Sequence, residues 1–160
     1  ENVSINPEIL YIDAMYNFET KEYDLALQKF EELERLFPLS NEAVQSQIMS
    51  AFIDYIRLNY DDAIYKFNRI LTKYPSHKNL DYVYYMKAIC YYEKISHEEL
   101  DGSNNINALE NFEQILNRFP DSKYAKDSQQ KIILVKSNIA AKHMSIGRFY
   151  QENEKSDYIG

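Results

Sequence analysis

The stretch Tyr23-Asp24-Leu25-Ala26-Leu27-Gln28-Lys29-Phe30, running on to Phe37-Pro38, returns without gaps at Tyr60 to Tyr74-Pro75 and again at Asn105 to Phe119-Pro120. In each copy a small residue (Ala26, Ala63, Ala108) is followed four positions later by Phe30, Phe67 or Phe112. An aliphatic residue (Leu33, Ile70, Ile115) stands three positions beyond that. Offsets of four and three put these side chains on one stripe of an α-helix, which reads as a buried face. Pro38, Pro75 and Pro120 each lie twelve residues after the alanine. Proline cannot continue a helix and pushes the residue before it out of the α region, so the three helices are expected to stop at the same point.

A second alanine series, Ala14, Ala51 and Ala88, recurs every 37 residues and marks another helix ahead of each of these. Two helices per unit follow. In the first two units the alanines lie twelve apart, close enough that the paired helices must cross where only a methyl fits. In the third the separation is twenty, which places eight extra residues in a loop around 96–105, where Asp101-Gly102-Ser103-Asn104-Asn105 is a turn cluster.

This register of small, aromatic, aliphatic and proline positions is similar to the tetratricopeptide repeat, with the usual period of about 34 residues lengthened to 37. The expected fold is an all-α solenoid of antiparallel helical hairpins with seven or eight helices. The expected units are about 7–38, 40–75 and 78–120. One long helix from Ser122 to about Asn153 follows, with Gly147 as the expected place for a kink, and a truncated fourth unit extends to Gly160. A solenoid tolerates truncation because each unit contacts only its neighbours.

Composition agrees with this. Three Gly and four Pro in 160 residues leave little turn chemistry for a β-rich fold. Fifteen Tyr and eight Phe with no Trp supply large contact surfaces, and a tyrosine can bury its ring while its hydroxyl stays wet. A formal charge of −7 without a dense Lys/Arg run argues against nucleic acid, whose binding draws on clustered cations. No stretch reaches the roughly 18 consecutive apolar residues of a membrane-spanning helix. Glu1 is not an initiator methionine and no apolar signal core follows it, so the chain is expected to begin at a processing site or a fragment boundary.

Catalytic and metal chemistry find no support. His97-Glu98-Glu99 has the opening of a zinc-protease motif, yet Asp101 stands where the second imidazole belongs. His77, His97 and His143 fall in three segments without cysteine partners, and solvated or capping roles are expected of them. Three glycines in no recognised spacing form no phosphate-cradling loop. Glu31-Glu32 and Glu98-Glu99 read as solvated helix faces. The lone Cys90, among Ala88, Ile89 and Tyr91, reads as a small buried hydrophobe and has no partner for an internal disulfide. The sequence therefore predicts no catalytic residue, no metal ligand and no cofactor. It predicts a chain that works by holding other proteins.

In the tetratricopeptide architecture the first helix of each pair lines the concave surface, through positions three before, one after and four after its alanine. These are Tyr11, Met15 and Phe18, then Ile48, Phe52 and Tyr55, then Tyr85, Ile89 and Tyr92. Repeat clamps that grip a chaperone's C-terminal carboxylate place Lys, Arg and Asn at several such positions, because a carboxylate needs charged donors. Aromatic walls suit instead an extended or helical peptide that carries rings as anchors. Two readings stand: the rings form a peptide groove, or some of them close the superhelix on itself.

The run Tyr74-Pro75-Ser76-His77-Lys78-Asn79-Leu80-Asp81-Tyr82-Val83-Tyr84-Tyr85-Met86 resembles the junction of the second and third repeats in the BamD (YfiO/ComL) family. These are tetratricopeptide lipoproteins of the bacterial outer-membrane β-barrel assembly (BAM) machinery. The resemblance extends over essentially the whole chain, through Phe37-Pro38, the expansion confined to the third unit, and the helix after Phe119-Pro120 leading into Arg148-Phe149-Tyr150. Lys78 stands where the family pattern has proline, and the third-unit loop lacks the aromatic-glycine and Arg/Asp-rich segment of the family. The resemblance implies an N-terminal lipid anchor outside this sequence and a location on the periplasmic face of a Gram-negative outer membrane. It also implies contact with BamA and other BAM lipoproteins, and receipt of unfolded outer-membrane proteins through aromatic C-terminal segments. A second envelope family, the Tol-Pal coordinator, resembles Phe119-Pro120-Asp121-Ser122-Lys123-Tyr124-Ala125, and a general repeat module for protein interaction is the remaining alternative.

Overall fold

The computed structural model of the protein describes residues 4–95 and 102–157, with side chains described as far as Asn153. Short polar side chains set where the first helices begin. Helix α1 (Pro7–Glu19) follows Asn6, whose Oδ1 accepts the Ile9 N–H at 2.9 Å. Pro7 occupies the first turn, where a missing N–H costs nothing. Helix α3 (Asn41–Ile56) is capped in the same way by Ser40, whose Oγ accepts the Ala43 N–H at 3.1 Å. The others are α2 (Tyr23–Leu36), α4 (Tyr60–Lys73), α5 (Leu80–Lys94), α6 (Ser103–Arg118) and α7 (Ala125–Asp157). Among the described residues the fold is seven helices and no strand.

The aromatic-proline pairs act as the sequence predicts. Phe37, Tyr74 and Phe119 end α2, α4 and α6 with nearly the same backbone, at φ −132, −127 and −134° and ψ 61, 58 and 57°. Each donates its N–H to the carbonyl of the aliphatic stripe residue, Leu33, Ile70 or Ile115, at 2.8–2.9 Å. One local signal thus produces three equivalent exits.

Two tight turns escaped the sequence reading because they contain no glycine. Lys21 and Leu58 carry φ of 63 and 64° between α1 and α2 and between α3 and α4. Behind them Glu22 N–H reaches Asn17 O and Asn59 N–H reaches Asp54 O, both at 2.8 Å, which closes a six-residue C-cap at each place. A side chain in this left-handed region costs about 1 kcal/mol, and the Leu58 side chain is 70% exposed, so it contributes little packing in return. Leu58→Gly is therefore expected to raise stability by about 0.5–1 kcal/mol, read as a higher urea midpoint at unchanged slope. A drop would mean that the Leu58 side chain packs in solution.

Each hairpin shares its core with the next helix. Ala14, Ala26 and Phe30 pack with Ile53 of α3. Ala51, Ala63, Phe67 and Ile70 pack with Val83, Met86 and Cys90 of α5, and Ala88, Ala108, Phe112 and Ile115 with Ile132 and Val135 of α7. All six register alanines and the three phenylalanines are completely enclosed. Cys90 is enclosed as well, and burial pushes its thiol up to about 12, which fits a packing role. His77 also keeps to a local role: its Nδ1 accepts the Asn79 N–H at 3.1 Å.

The expanded loop is shorter than the sequence suggests. Ser103, Asn104 and Asn105, read as loop, open α6, with Gly102 at φ 68° just before them. Their polar side chains suit a first turn, where four backbone N–H groups lack partners, as well as they suit a loop. Residues 96–101, with His97 and Glu98-Glu99, lie outside the described residues. The long helix begins at Ala125, not Ser122. Ser122 Oγ donates to Asp81 Oδ2 at 2.7 Å and accepts the Tyr124 N–H at 3.1 Å, which holds that residue in a turn. From Ala125 the helix runs on through Gly147. The end of the chain, Tyr158 to Gly160, again lies outside the described residues.

Candidate functional site: an aromatic groove on the first helices

Residues spaced −3, +1 and +4 around an alanine share one face of a helix, and on α1, α3 and α5 this face carries the nine predicted groove residues. The structure separates them into two sets. Ile48 and Ile89 are 5% and 7% exposed and belong to the hydrophobic cores of the second and third hairpins. Tyr11, Met15, Phe18, Phe52, Tyr55, Tyr85 and Tyr92 are half-buried. Size explains the difference: an isoleucine ends within the core, whereas a tyrosine or phenylalanine ring projects past it.

The rings touch one another in two clusters, one across the first and second hairpins and one around α5. Phe18 lies 5.9 Å from Tyr23 and 6.1 Å from Phe52, Phe52 lies 5.9 Å from Tyr55, and Tyr55 lies 5.9 Å from Tyr60. On α5, Tyr85 stacks on Tyr124 at 4.8 Å and meets Phe112 edge-on at 6.3 Å, and Tyr92 meets Phe112 at 6.4 Å. Tyr11 sits on Phe30 at 6.0 Å. Pairs at these distances and tilts each add about 0.5–1.5 kcal/mol beyond area burial, so these rings knit the solenoid.

Tyr23 and Tyr60 belong to this surface and were not singled out from the sequence. Their signal was present, since each opens its repeat segment 37 residues from the other. The contribution of α7 left no such trace. The Tyr85 hydroxyl donates to Asp127 Oδ2, Lys131 Nζ bridges to Asp127 at 3.2 Å, and that same ammonium lies 5.5 Å from the Tyr92 ring centre. This cluster fixes Tyr85 and Tyr92 of α5 against α7.

Protonation follows from burial. The Tyr11, Tyr55 and Tyr85 phenols are pushed up chiefly by desolvation, with Glu93 adding at Tyr55 and the Asp127 hydrogen bond at Tyr85; Tyr82 reaches about 12. At physiological pH these phenols are therefore neutral, and their rings are available for stacking. Among the described residues no group of three or more His, Cys, Asp or Glu could hold a metal ion, and no helix is long and apolar enough to cross a membrane.

Paired helices with alanine crossings and aromatic-proline exits define a tetratricopeptide-type solenoid. The same fold is seen in the Hsp90 co-chaperone Cns1 from Saccharomyces cerevisiae, at a TM-score of 0.71 over 92% of this chain and 45% of that one, with 16% identity. Sequence comparison goes further: residues 4–159 match the family described as YfiO, outer membrane lipoprotein, and the chain belongs to that family. Similar proteins include the outer membrane protein assembly factor BamD of Caulobacter vibrioides, 32% identical over 146 residues covering 91% of this chain and 48% of the relative. That of Rickettsia prowazekii is 33% identical over 141 residues, covering 88% and 56%. The BamD of Neisseria meningitidis serogroup B is 28% identical over 155 residues, covering 91% and 58%. The chain thus spans about half the length of the curated relatives it matches.

Proposed function

We propose that this chain is a protein-binding part of the outer-membrane β-barrel assembly machinery, and that its groove receives aromatic-bearing segments of unfolded outer-membrane proteins. The half-buried aromatic residues on α1, α3 and α5, in a chain of the YfiO family, carry this reading. In this role the whole protein works beside BamA and other BAM lipoproteins, on the periplasmic side of the outer membrane, held by a lipid anchor at its N-terminus. Half-buried rings can anchor an extended peptide without a large ordering cost, since each tyrosine has few rotamers to lose.

The test is fluorescence anisotropy with a labelled decapeptide ending in phenylalanine. Because Tyr11, Phe52 and Tyr85 also hold the solenoid together, a combined Leu substitution at the three positions, which keeps most of the apolar volume and removes the rings, should lower the melting temperature. Binding is therefore compared at a temperature where both chains show the same helical circular dichroism, and it should weaken about tenfold or more there. Equal affinity in both chains would refute the groove.

A further inference from the structure

The 37-residue register also fixes how one hairpin seats the next. Ser46, Met49 and Ile53 of α3 recur as Val83, Met86 and Cys90 of α5. On both helices this stripe is covered by the second helix of the hairpin before. Met49 and Ile53 lie with Ala26 and Phe30 of α2, and Val83, Met86 and Cys90 lie with Ala63, Phe67 and Ile70 of α4. One period earlier the same positions on α1 are Ile9, Ile12 and Tyr16, with Ile5 one turn ahead of them. These three are 46%, 60% and 63% exposed, and Ile5 is 66% exposed. The end units of a repeat stack ordinarily turn a polar face outward. Here α1 turns an apolar stripe outward, at the place where its counterparts on α3 and α5 receive a helix.

Charge selects the kind of helix that fits. The helical period puts Glu8 and Glu19 along one edge of the stripe and Asp13 along the other, and all three are exposed. Residues 1–20 contain no Lys or Arg. Lys29 of α2 meets Asp13 at 2.8 Å, yet the Asp13 side chain stays 55% exposed. Two α1 helices set face to face would bring carboxylates against carboxylates, which disfavours a second copy of the chain. An anionic lipid surface is repelled for the same reason, and helices that lie on membranes carry the Lys and Arg that α1 lacks. We infer that the outer face of α1 is a docking surface for an amphipathic helix of a partner protein. That helix takes the place of a preceding second helix, laying an apolar stripe on Ile9, Ile12 and Tyr16 with Lys or Arg on both edges to meet Glu8, Glu19 and Asp13. Tyr11, Met15 and Phe18 stand on another face of α1, so this surface is separate from the groove and does not depend on it.

The probe is a labelled helical peptide of about twenty residues, long enough to hold a helix in water. Its stripe copies the spacing of Ala63, Phe67 and Ile70 on α4, with Lys along both edges; a second peptide carries Glu at the edge positions. In fluorescence anisotropy at low salt the parent chain should bind the Lys-edged peptide about tenfold or more tightly than the Glu-edged one. Glu8→Lys with Glu19→Lys should remove most of that preference. Ile9→Ser with Ile12→Ser should weaken binding about tenfold, while the thermal melt and the affinity for the phenylalanine-ended decapeptide stay as in the parent chain. Equal affinity for the two peptides, no measurable binding of the Lys-edged one, or binding that survives the Ser substitutions would overturn the inference. So would either of two other occupants. A parent chain that sediments as a dimer and becomes a monomer with the Ser substitutions would assign the stripe to a second copy. Flotation with phosphatidylethanolamine vesicles, lost through the same substitutions, would assign it to lipid.

Discussion

Phe67→Ala is expected to lower the unfolding free energy by about 3–5 kcal/mol, the largest single-residue loss in the molecule. Phe67 is completely enclosed, between Ala51 and Ala63 of its own hairpin and Val83, Met86 and Cys90 of α5. Truncation removes a full ring from water-free surroundings, and the alanines that let the helices approach closely have no larger side chain to swing into the void. Phe30 and Phe112 occupy the same register in the outer hairpins. Loss of Phe67 opens both the α3–α4 hairpin and its interface with α5, in a structure whose stability is close to a sum over neighbours. In a chain of this size each kcal/mol moves the melting temperature by about 2–4 °C, so the change is well within reach of a thermal melt. Tyr65→Ala, two residues away on the same helix and 70% exposed, should stay within about 0.5 kcal/mol. A loss below about 1 kcal/mol for Phe67→Ala would mean that the alanine-phenylalanine register does not carry the core.

That register was legible because it is local. Small, aromatic, aliphatic and proline positions within sixteen residues specify one helix, its buried stripe and its exit, and repetition at 37 residues specifies the stacking. Features that join distant segments were not legible. Glu34 stands beside the acidic pair Glu31-Glu32, which is exposed as expected, yet Glu34 is 7% exposed and accepts from Arg69 at 3.2 Å and Lys73 at 2.7 Å. Nothing within α2 distinguishes it, because its partners lie 35 and 39 residues away. The left-handed turns at Lys21 and Leu58 were hidden for a different reason: hairpin geometry forces the conformation on residues that do not favour it. On the first helices, position relative to the alanine fixed which face each residue occupies, but not its depth. Ile48 and Tyr85 hold the same offset, and the length of the side chain alone leaves one in the core and the other half-exposed.

Lys66→Met is expected to cost about 2–3 kcal/mol, through Asp54 and not through any contact of its own stem. Asp54 on α3 has a side chain only 8% exposed, and Lys66 Nζ of α4 meets its Oδ2 at 2.6 Å while also donating to Ser50 Oγ at 2.9 Å. Methionine preserves most of the apolar length and removes the charge, which leaves a carboxylate in a site nearly closed to water. Removing one partner of a fully buried pair costs about 3–5 kcal/mol; the lower figure reflects the 22% exposure of Lys66, through which water can reach the orphan. Adding Asp54→Asn to Lys66→Met should then recover part of the loss, so the two changes are non-additive by about 1–2 kcal/mol in a double-mutant cycle read by urea unfolding. The exposed pair Arg57 to Asp24, 2.8 Å apart with an Asp24 side chain 85% exposed, serves as the contrast, and its removal should cost less than about 1 kcal/mol. Additive losses at Asp54 and Lys66 would show that the carboxylate is solvated in solution. The α3–α4 crossing would then be held by its hydrophobic core, with Ala51, Ala63 and Phe67 at the centre, and Phe52 and Tyr55, which stand on that same stretch of α3, would owe their positions to packing without help from charge.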